Sequence, residues 1–283
     1  MKDLSGRTAI VTGASRGLGV YIARALAGQG VDLVLAARNQ AALEDLAREL
    51  RARGRRAIAL PVDLRRAEDI ERLAASAAAE FGRVDLLVNN AGIEAVYFFH
   101  QLPREEVDEV IDVNLRATMH LTRLVLPGML ERREGHIVNM SSLAGKAGPA
   151  YAESYAATKA ALIGFTQSLR ASYRRDGVSA SVICPGFVGV VGMYADAKRE
   201  HGQEAPRVLG ESRPEAVAAA VLKAVRNDLP EVIVNPRPVR ALLAMRELAP
   251  GFMERMSRLI DANSLFRRQA EVRAQAREQQ RAR

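Results

Sequence analysis

The sequence has little cysteine, no tryptophan and no long uncharged run. Cys184 is the one cysteine among 283 residues, which excludes an intrachain disulfide and predicts a reducing compartment. Without a partner cysteine, Cys184 is expected to be a small core residue. No apolar signal region precedes the first strand pattern, and no stretch has the length of a membrane span. We therefore expect a cytoplasmic protein.

Histidine is also scarce. The four histidines show no metal-ligand spacing, and none belongs to a cluster of carboxylates or cysteines, so we expect no metal site. They are His100, His120, His136 and His201.

Positive charge is concentrated at the C-terminal end of the chain. The formal net charge is +8. Residues 237–283 contain eleven arginines and five acidic residues, a net +6, which leaves only +2 for the other 236 residues. A basic tail on a nearly neutral main region argues against a nucleic-acid-binding domain.

Short β-branched runs alternate with Ala/Leu-rich helical patterns through residue 235. This alternation predicts parallel strands with helices on both faces of the sheet. The fold class is therefore α/β: a single Rossmann-like doubly wound domain with a seven-stranded parallel sheet over residues 1–236, plus a C-terminal helical extension over residues 237–283. The predicted strands are Thr8–Thr12, Asp32–Ala36, Ala57–Pro61, Asp85–Asn89, His136–Met140, Val178–Ile183 and Glu231–Val234. The predicted helices are Leu18–Gln29, Gln40–Arg53, Arg66–Phe81, Glu105–Leu130, Glu153–Arg174 and Pro214–Asn227. Residues 187–212 break the alternation and are expected to form a lid over a site.

A glycine-rich turn links the first strand to the first helix. Its spacing, G-x-x-x-G-x-G, allows a pyrophosphate to approach the backbone at a helix N-terminus. The residues expected to contact the cofactor here are Gly13, Ser15, Arg16, Gly17, Leu18 and Gly19.

The end of the second strand indicates which dinucleotide binds. NAD-binding proteins usually place an acidic residue there to bond the ribose 2′-hydroxyl. This chain has Ala37 and Arg38 instead. Because guanidinium groups bind phosphate through charge-assisted bonds, Arg38 and Arg16 favour the 2′-phosphate of NADP(H).

Two Y-x-x-x-K patterns compete for a catalytic role. Tyr155 and Lys159 lie one helical turn apart, and a neighbouring ammonium group is expected to lower the pKa of the phenol. Tyr194 and Lys198 have the same spacing, but prolines and glycines interrupt the chain before them. Ser142, which follows a strand directly, favours Tyr155 as the proton donor or acceptor.

These motifs together resemble the short-chain dehydrogenase/reductase family, of its classical type, over about residues 5–235. The resemblance implies that Ser142 bonds the substrate oxygen, that Tyr155 exchanges its proton, and that Lys159 holds the cofactor ribose and lowers the Tyr155 pKa. It also implies that Asn114 holds a water of the proton relay. The further cofactor contacts that it implies, in addition to Tyr155 and Lys159, are Asp63, Leu64, Asn90, Ala91, Gly92, Pro185, Gly186 and Val188. Val190 departs from the family pattern, which often has a threonine there that contacts the nicotinamide carboxamide.

The function that follows is NADP(H)-dependent hydride transfer to or from a carbonyl/alcohol pair of a small, apolar substrate, in a homodimer or homotetramer. Tyr97, Phe98 and Phe99 either line an apolar pocket with Phe187, Met193 and Tyr194 or pack among themselves. One alternative is a 3-oxoacyl carrier-protein reductase. Another is a nucleotide-sensing regulatory protein without catalysis, which the intact set of catalytic residue types disfavours.

The tail carries two amphipathic patterns, Arg240–Ala249 and Gly251–Asp261. Their apolar positions are Leu242, Met245, Leu248, Phe252, Met256, Leu259 and Ile260. We expect two short helices docked on the parent domain or on a partner subunit; contact with an anionic membrane is a less favoured alternative. Arg267–Arg283 is nearly devoid of large apolar residues and is expected to be a solvated or frayed helix outside any core.

Overall fold

The structure is a computed structural model that describes residues 1–202, 204–206, 209–259 and 264–281. Seven strands form one parallel sheet in the order β3-β2-β1-β4-β5-β6-β7. The strands are β1 (Thr8–Thr12), β2 (Asp32–Ala37), β3 (Ala57–Pro61), β4 (Leu86–Asn89), β5 (Gly135–Met140), β6 (Val178–Pro185) and β7 (Glu231–Val234). The fold class predicted from the sequence is confirmed, and the predicted strand ends differ from the observed ones by at most two residues.

Helices cover both faces of the sheet. They are α1 (Leu18–Ala27), α2 (Gln40–Ala52), α3 (Ala67–Phe81), α4 (Arg104–Ile111), α5 (Ala117–Glu131), α6 (Glu153–Tyr173), α7 (Met193–His201), α8 (Pro214–Asn227), α9 (Arg240–Leu248), α10 (Pro250–Leu259) and α11 (Ser264–Arg281). None of the described helices is long and apolar enough to cross a membrane.

Both faces of the sheet are buried, which explains why the strand sequences are continuous apolar runs. In β1, Ala9 and Val11 pack into the core on one face, and Ile10 packs into the core on the other. All five residues of β1 are buried. Burying a side chain of this kind contributes about 1.5–3 kcal/mol, so the central strands anchor the domain. Cys184, fully buried in β6, is a core residue as predicted.

The strand order places a crevice beside β1. In the sheet, β2 lies on one side of β1 and β4 lies on the other, so the direction of the strand order reverses at β1. The carboxyl ends of β1 and β4 flank this reversal point. Open α/β sheets bind ligands at this point. The glycine-rich turn after β1 and Asn90 after β4 both lie there.

The prediction of one continuous helix over Glu105–Leu130 is wrong, because the structure divides it into two helices. A π-helical turn over Asp112–Arg116 separates α4 from α5. A π turn inserts one extra residue and often marks a functional site. Periodicity alone does not reveal such a turn, because both flanking helices keep the helical pattern.

The lid segment has more structure than expected, whereas the first two tail helices lie close to their predicted bounds. The lid segment over residues 187–212 contains α7. In the tail, the break at Pro250 does separate α9 from α10, and Pro250 begins the second helix. Ile260 and Asp261 lie outside the described residues, as does the end of the chain at Arg283.

Candidate active site

A cavity of about 1830 Å³ opens at the carboxyl edge of the sheet. The predicted residues Ser142, Tyr155 and Lys159 line it, together with nearly every predicted cofactor residue: Gly13, Ser15, Arg16, Gly17, Leu18, Arg38, Asp63, Leu64, Asn90, Ala91, Gly92, Pro185, Gly186 and Val188. Gly19 lies behind the turn, where a Cβ would come within 2.2 Å of the Gly13 carbonyl oxygen. Asn114 is fully buried beneath the cavity wall.

The turn after β1 has the geometry that a pyrophosphate needs. Gly13 and Gly17 have φ angles of +68° and +62°, a region that favours glycine. A Cβ at Gly13 would lie 2.9 Å from the Cα of Ala91, so a side chain there would disrupt the turn. No side chain caps α1 at Gly17, which leaves the first N–H groups of the helix for an anion. These residues therefore fit the phosphates of a dinucleotide.

Thr12 and Asn90 join the ends of β1 and β4. The Thr12 hydroxyl oxygen accepts hydrogen bonds from the backbone N–H groups of Asn90 and Ala91 at 3.0 and 3.1 Å. The Asn90 side chain donates to the Thr12 carbonyl at 2.9 Å. The amide of Asn90 thus fixes the shape of the cavity floor, and Thr12 is a positioning residue that had no assigned role in the sequence analysis.

Arginine side chains line the cavity beside the carboxyl end of β2. Arg38 is exposed at the cavity edge. Arg16 is 78% exposed and forms an ion pair with Asp196 of α7 at 2.8 Å. The guanidinium of Arg65, which bonds Asp63 at 2.9 Å, holds the pKa of that carboxyl below its usual range.

Tyr155 lies in the first turn of α6 and is only 8% exposed. Burial raises the pKa of its phenol, the Glu94 carboxyl raises it further, and a hydrogen bond with the Ser142 hydroxyl lowers it. Ser142 is itself held by its short 3₁₀ turn, because its oxygen accepts from the Ala144 N–H at 3.1 Å. The expectation that Lys159 lowers the Tyr155 pKa is wrong for this state of the protein.

The position of Lys159 gives the reason. Its ammonium group donates to the Met140 carbonyl at 2.8 Å and lies 5.6 Å from the centroid of the Tyr155 ring. Lys159 is 3% exposed, and burial lowers its pKa to about 8. Desolvation of each group therefore sets the direction of both pKa changes.

Asn114 projects from the π turn and connects three segments of the site. Its amide donates to the Ile93 carbonyl at 2.9 Å and to the Thr158 hydroxyl at 3.1 Å, and its oxygen accepts from the Ile93 N–H at 2.8 Å. A Cβ at Gly92 would lie 3.3 Å from the Asn114 oxygen and 3.2 Å from the Lys159 ammonium. Asn114 therefore fixes the loop beside Lys159.

The second Y-x-x-x-K pattern forms a separate arrangement. The Tyr194 hydroxyl and the Lys198 ammonium both donate to Glu211 Oε1, at 2.6 and 2.8 Å. Ser181, at the matching upstream distance, is buried in β6 and donates to the Leu229 carbonyl. Because this serine lies inside the sheet, it cannot work with Tyr194.

Val190 is 60% exposed, and the wall of the cavity is formed at this point by Val188 and Val191. The aromatic run after Gly92 packs rather than lining the cavity. Phe98 packs edge-on against Tyr151 and belongs to the cluster around Tyr155, and Phe99 is exposed.

The tail forms a wall of the cavity. Apolar residues of the tail line it: Val239, Leu242, Leu243, Met245, Phe252, Met253, Met256 and Phe266. The expectation that Arg267–Arg283 stays outside any core is wrong. Ala270 is fully buried in a cluster with Val96, Ala152 and Tyr155, and Gln269 is 5% exposed. Small residues, rather than large apolar ones, allow this helix to approach Tyr155.

Comparison with known proteins gives a consistent result. The family described as short chain dehydrogenase matches residues 7–202. The chain is 41% identical over 278 residues to the ketoacyl reductase HetN of Nostoc sp., with 96% of each chain covered. That alignment therefore includes most of the tail.

Two solved structures have the same fold. A metagenomic short-chain oxidoreductase in complex with NADP is 35% identical, with a TM-score of 0.71 over 83% of this chain and 100% of that one. A short-chain dehydrogenase/reductase from Burkholderia phymatum in complex with NAD is 29% identical, with a TM-score of 0.78 over 89% and 96% of the two chains. The family match over more than half of its residues, with these relatives, shows that the chain belongs to the short-chain dehydrogenase/reductase family of NAD(P)-dependent oxidoreductases.

Proposed function

We propose that the protein reduces a ketone or aldehyde of an apolar compound with NADPH, or catalyses the reverse oxidation, and that Tyr155 exchanges the proton. The observation that carries the proposal is that Ser142 and Tyr155 line one cavity together with Lys159 and a phosphate-binding turn. The apolar lining contributed by the tail supports an apolar substrate.

Each residue of the site has a distinct role in this proposal. When bound, the nicotinamide supplies the hydride that adds to the carbonyl carbon. Ser142 donates a hydrogen bond to the carbonyl oxygen, and the Tyr155 phenol gives that oxygen its proton. Because burial raises the pKa of Tyr155, the phenol holds its proton until the substrate oxygen takes it, which suits the reductive direction. Lys159 holds the ribose, and Asn114 keeps the Ile93 loop in place.

Substitution of Tyr155 tests this assignment. Tyr155→Phe removes only the hydroxyl and should lower turnover by about 10²–10⁴-fold, the usual contribution of a positioned acid. Cofactor binding, measured by fluorescence titration, should change little. Tyr194→Phe is the matched control, because its hydroxyl bonds Glu211 outside the pair described above. A larger loss for Tyr194→Phe than for Tyr155→Phe would contradict the assignment.

The preference for NADP(H) over NAD(H) rests on the end of β2. Arg38 and Arg16 line the cavity, and the strand ends without an acidic residue. Among the similar structures, one holds NADP and another NAD. Arg38→Asp should weaken NADPH binding by about 10- to 100-fold because the phosphate loses a charged partner. Equal kcat/KM with NADPH and NADH in the unaltered protein would contradict the preference.

A second candidate is a 3-oxoacyl carrier-protein reductase. It is favoured by the similarity to a protein named ketoacyl reductase and by the long apolar cavity wall. A panel of ketones, aldehydes and acyl thioesters, followed by NADPH absorbance, distinguishes the two candidates. A strong preference for carrier-linked thioesters over free ketones would favour the second.

A further inference from the structure

Gln269 is a buried polar residue that contacts the cavity and has no hydrogen-bond partner among the described residues. Its side chain lies on α11, it is 95% buried, and it lines the cavity. Its amide forms no hydrogen bond with any residue that the structure describes. Buried amides are almost always hydrogen-bonded, so an unpaired one in a cavity wall points to a ligand group.

Glu94 is a second polar group that lines the cavity. It follows Ile93, whose backbone Asn114 holds on both sides, and it also lines the cavity. Val96, two residues later, packs in one cluster with Tyr155, and the Glu94 carboxyl raises the pKa of that phenol. It accepts no hydrogen bond from a described residue, and burial raises its pKa.

Arg273 connects the two groups in space. It lies one turn after Gln269 on α11, so both side chains project from the same face of the helix. Its guanidinium lies 5.1 Å from the centroid of the Tyr97 ring and acts electrostatically on Glu94. Ala270, the neighbour of Gln269, packs in one cluster with Val96 and Tyr155, so α11 approaches the loop that begins at Glu94 beside the phenol.

We propose that Glu94 and Gln269 form a polar subsite that hydrogen-bonds a neutral amide or hydroxyl group of the substrate, a group other than the carbonyl that is reduced. The proposal rests on the proposed function, and it names the class of substrate: an apolar carbonyl compound that carries one such group. A few placed polar groups in an apolar cavity fix the orientation of a ligand.

The charges of Glu94 and Arg273 favour a neutral substrate group at this subsite. Arg273 already acts on the Glu94 carboxyl, and a neutral substrate group leaves this pair of charges undisturbed. An amide or hydroxyl both donates and accepts, so it satisfies the carboxyl and the Gln269 amide without burying another charge.

The test compares methyl ketones that carry a carboxamide or hydroxyl at successive chain positions with their alkyl isosteres. At the best position, the unaltered protein should prefer the polar ketone by about 10²-fold or more in kcat/KM, because a hydrogen-bonding site rejects analogues that lack the group. Gln269→Met should reduce this ratio by at least about tenfold. Gln167→Met, an exposed glutamine on α6, is the matched control and should leave the ratio unchanged.

A binding measurement separates the subsite from the proposed function. Calorimetry with an unreactive alkyl amide, in the presence of NADP⁺, should give binding that Gln269→Met weakens by at least about tenfold. If ketones are reduced with no preference, or if Gln269→Met changes neither the ratio nor amide binding, the subsite is refuted and the proposed function stands. If no ketone is reduced, the proposed function fails, and amide binding alone then decides whether the subsite exists.

Discussion

Lys159 should make the protein less stable at neutral pH. Lys159 is 97% buried, and its pKa falls from the usual 10.5 to about 8. At about 1.4 kcal/mol for each pKa unit, keeping the charge at pH 7 costs about 3 kcal/mol of folding free energy. Lys159→Met keeps an unbranched side chain and removes the charge, but it loses the hydrogen bond to the Met140 carbonyl, worth about 1 kcal/mol. The variant should therefore be about 2 kcal/mol more stable at pH 7, although it should lose activity.

The pH dependence of the free energy of unfolding identifies the buried charge of Lys159 as the cause. Between pH 8 and 10.5 the unfolded chain binds more protons than the folded protein at this residue, so the unaltered protein gains stability as the pH rises. Lys159→Met lacks this gain, and its advantage should fall to about zero at pH 10 once the lost hydrogen bond is included.

Urea unfolding followed by circular dichroism, without cofactor, measures the difference in stability at pH 7 and its change with pH. Lys223→Met, at an exposed position on α8, is the control and should show no such pH-dependent difference. The reasoning is refuted if Lys159→Met is less stable than the unaltered protein at pH 7. It is also refuted if the difference between the two proteins is the same at pH 7 and pH 10.

Three further predictions concern other parts of the chain. His136 is buried, and its pKa is lowered to about 3. Below pH 6.5 the unfolded chain binds more protons at this residue, so stability should fall by about 2 kcal/mol between pH 7 and 5, and His136→Gln should flatten that slope in urea titrations. A chain ending at residue 259 lacks α11 and exposes Tyr155, so the pKa of Tyr155 should fall. The alkaline limb of the pH–rate profile should then move to lower pH, and an unmoved limb would contradict the contact with α11. A chain ending at Pro236 should aggregate or change substrate preference if the tail is docked; if it instead stays stable and only loses binding to anionic liposomes, the membrane alternative holds.

The sheet could be predicted closely because its signals are local. Each strand is a short β-branched run buried on both faces, and each is followed by turn residues that end it. The glycine-rich turn and Ser142 could be placed at the carboxyl edge from their positions after strands. The carboxyl ends of parallel strands meet at the same edge of the sheet, so topology brings together residues that are far apart in sequence.

The details of proton chemistry at Tyr155 could not be predicted in the same way. The spacing of Tyr155 and Lys159 correctly puts them one turn apart, but it does not reveal how much solvent either group keeps. Met140 takes the ammonium, and burial sets the direction of both pKa changes. Glu94, which also raises the Tyr155 pKa, comes from a loop that the spacing argument did not consider.

The role of α11 depends on small residues, which a search for large apolar side chains overlooks. Ala270 is fully buried because its methyl group allows the helix backbone to approach Tyr155 and Val96. Phe266, one turn earlier, lies 6.4 Å from the Phe187 ring across the cavity, measured between ring centroids. The helix therefore closes the cavity beside the phenol and keeps water from it, and water exclusion strengthens every electrostatic interaction of the reacting groups. For this reason the basic, weakly hydrophobic end of the chain belongs to the structure of the site rather than to a solvated appendage.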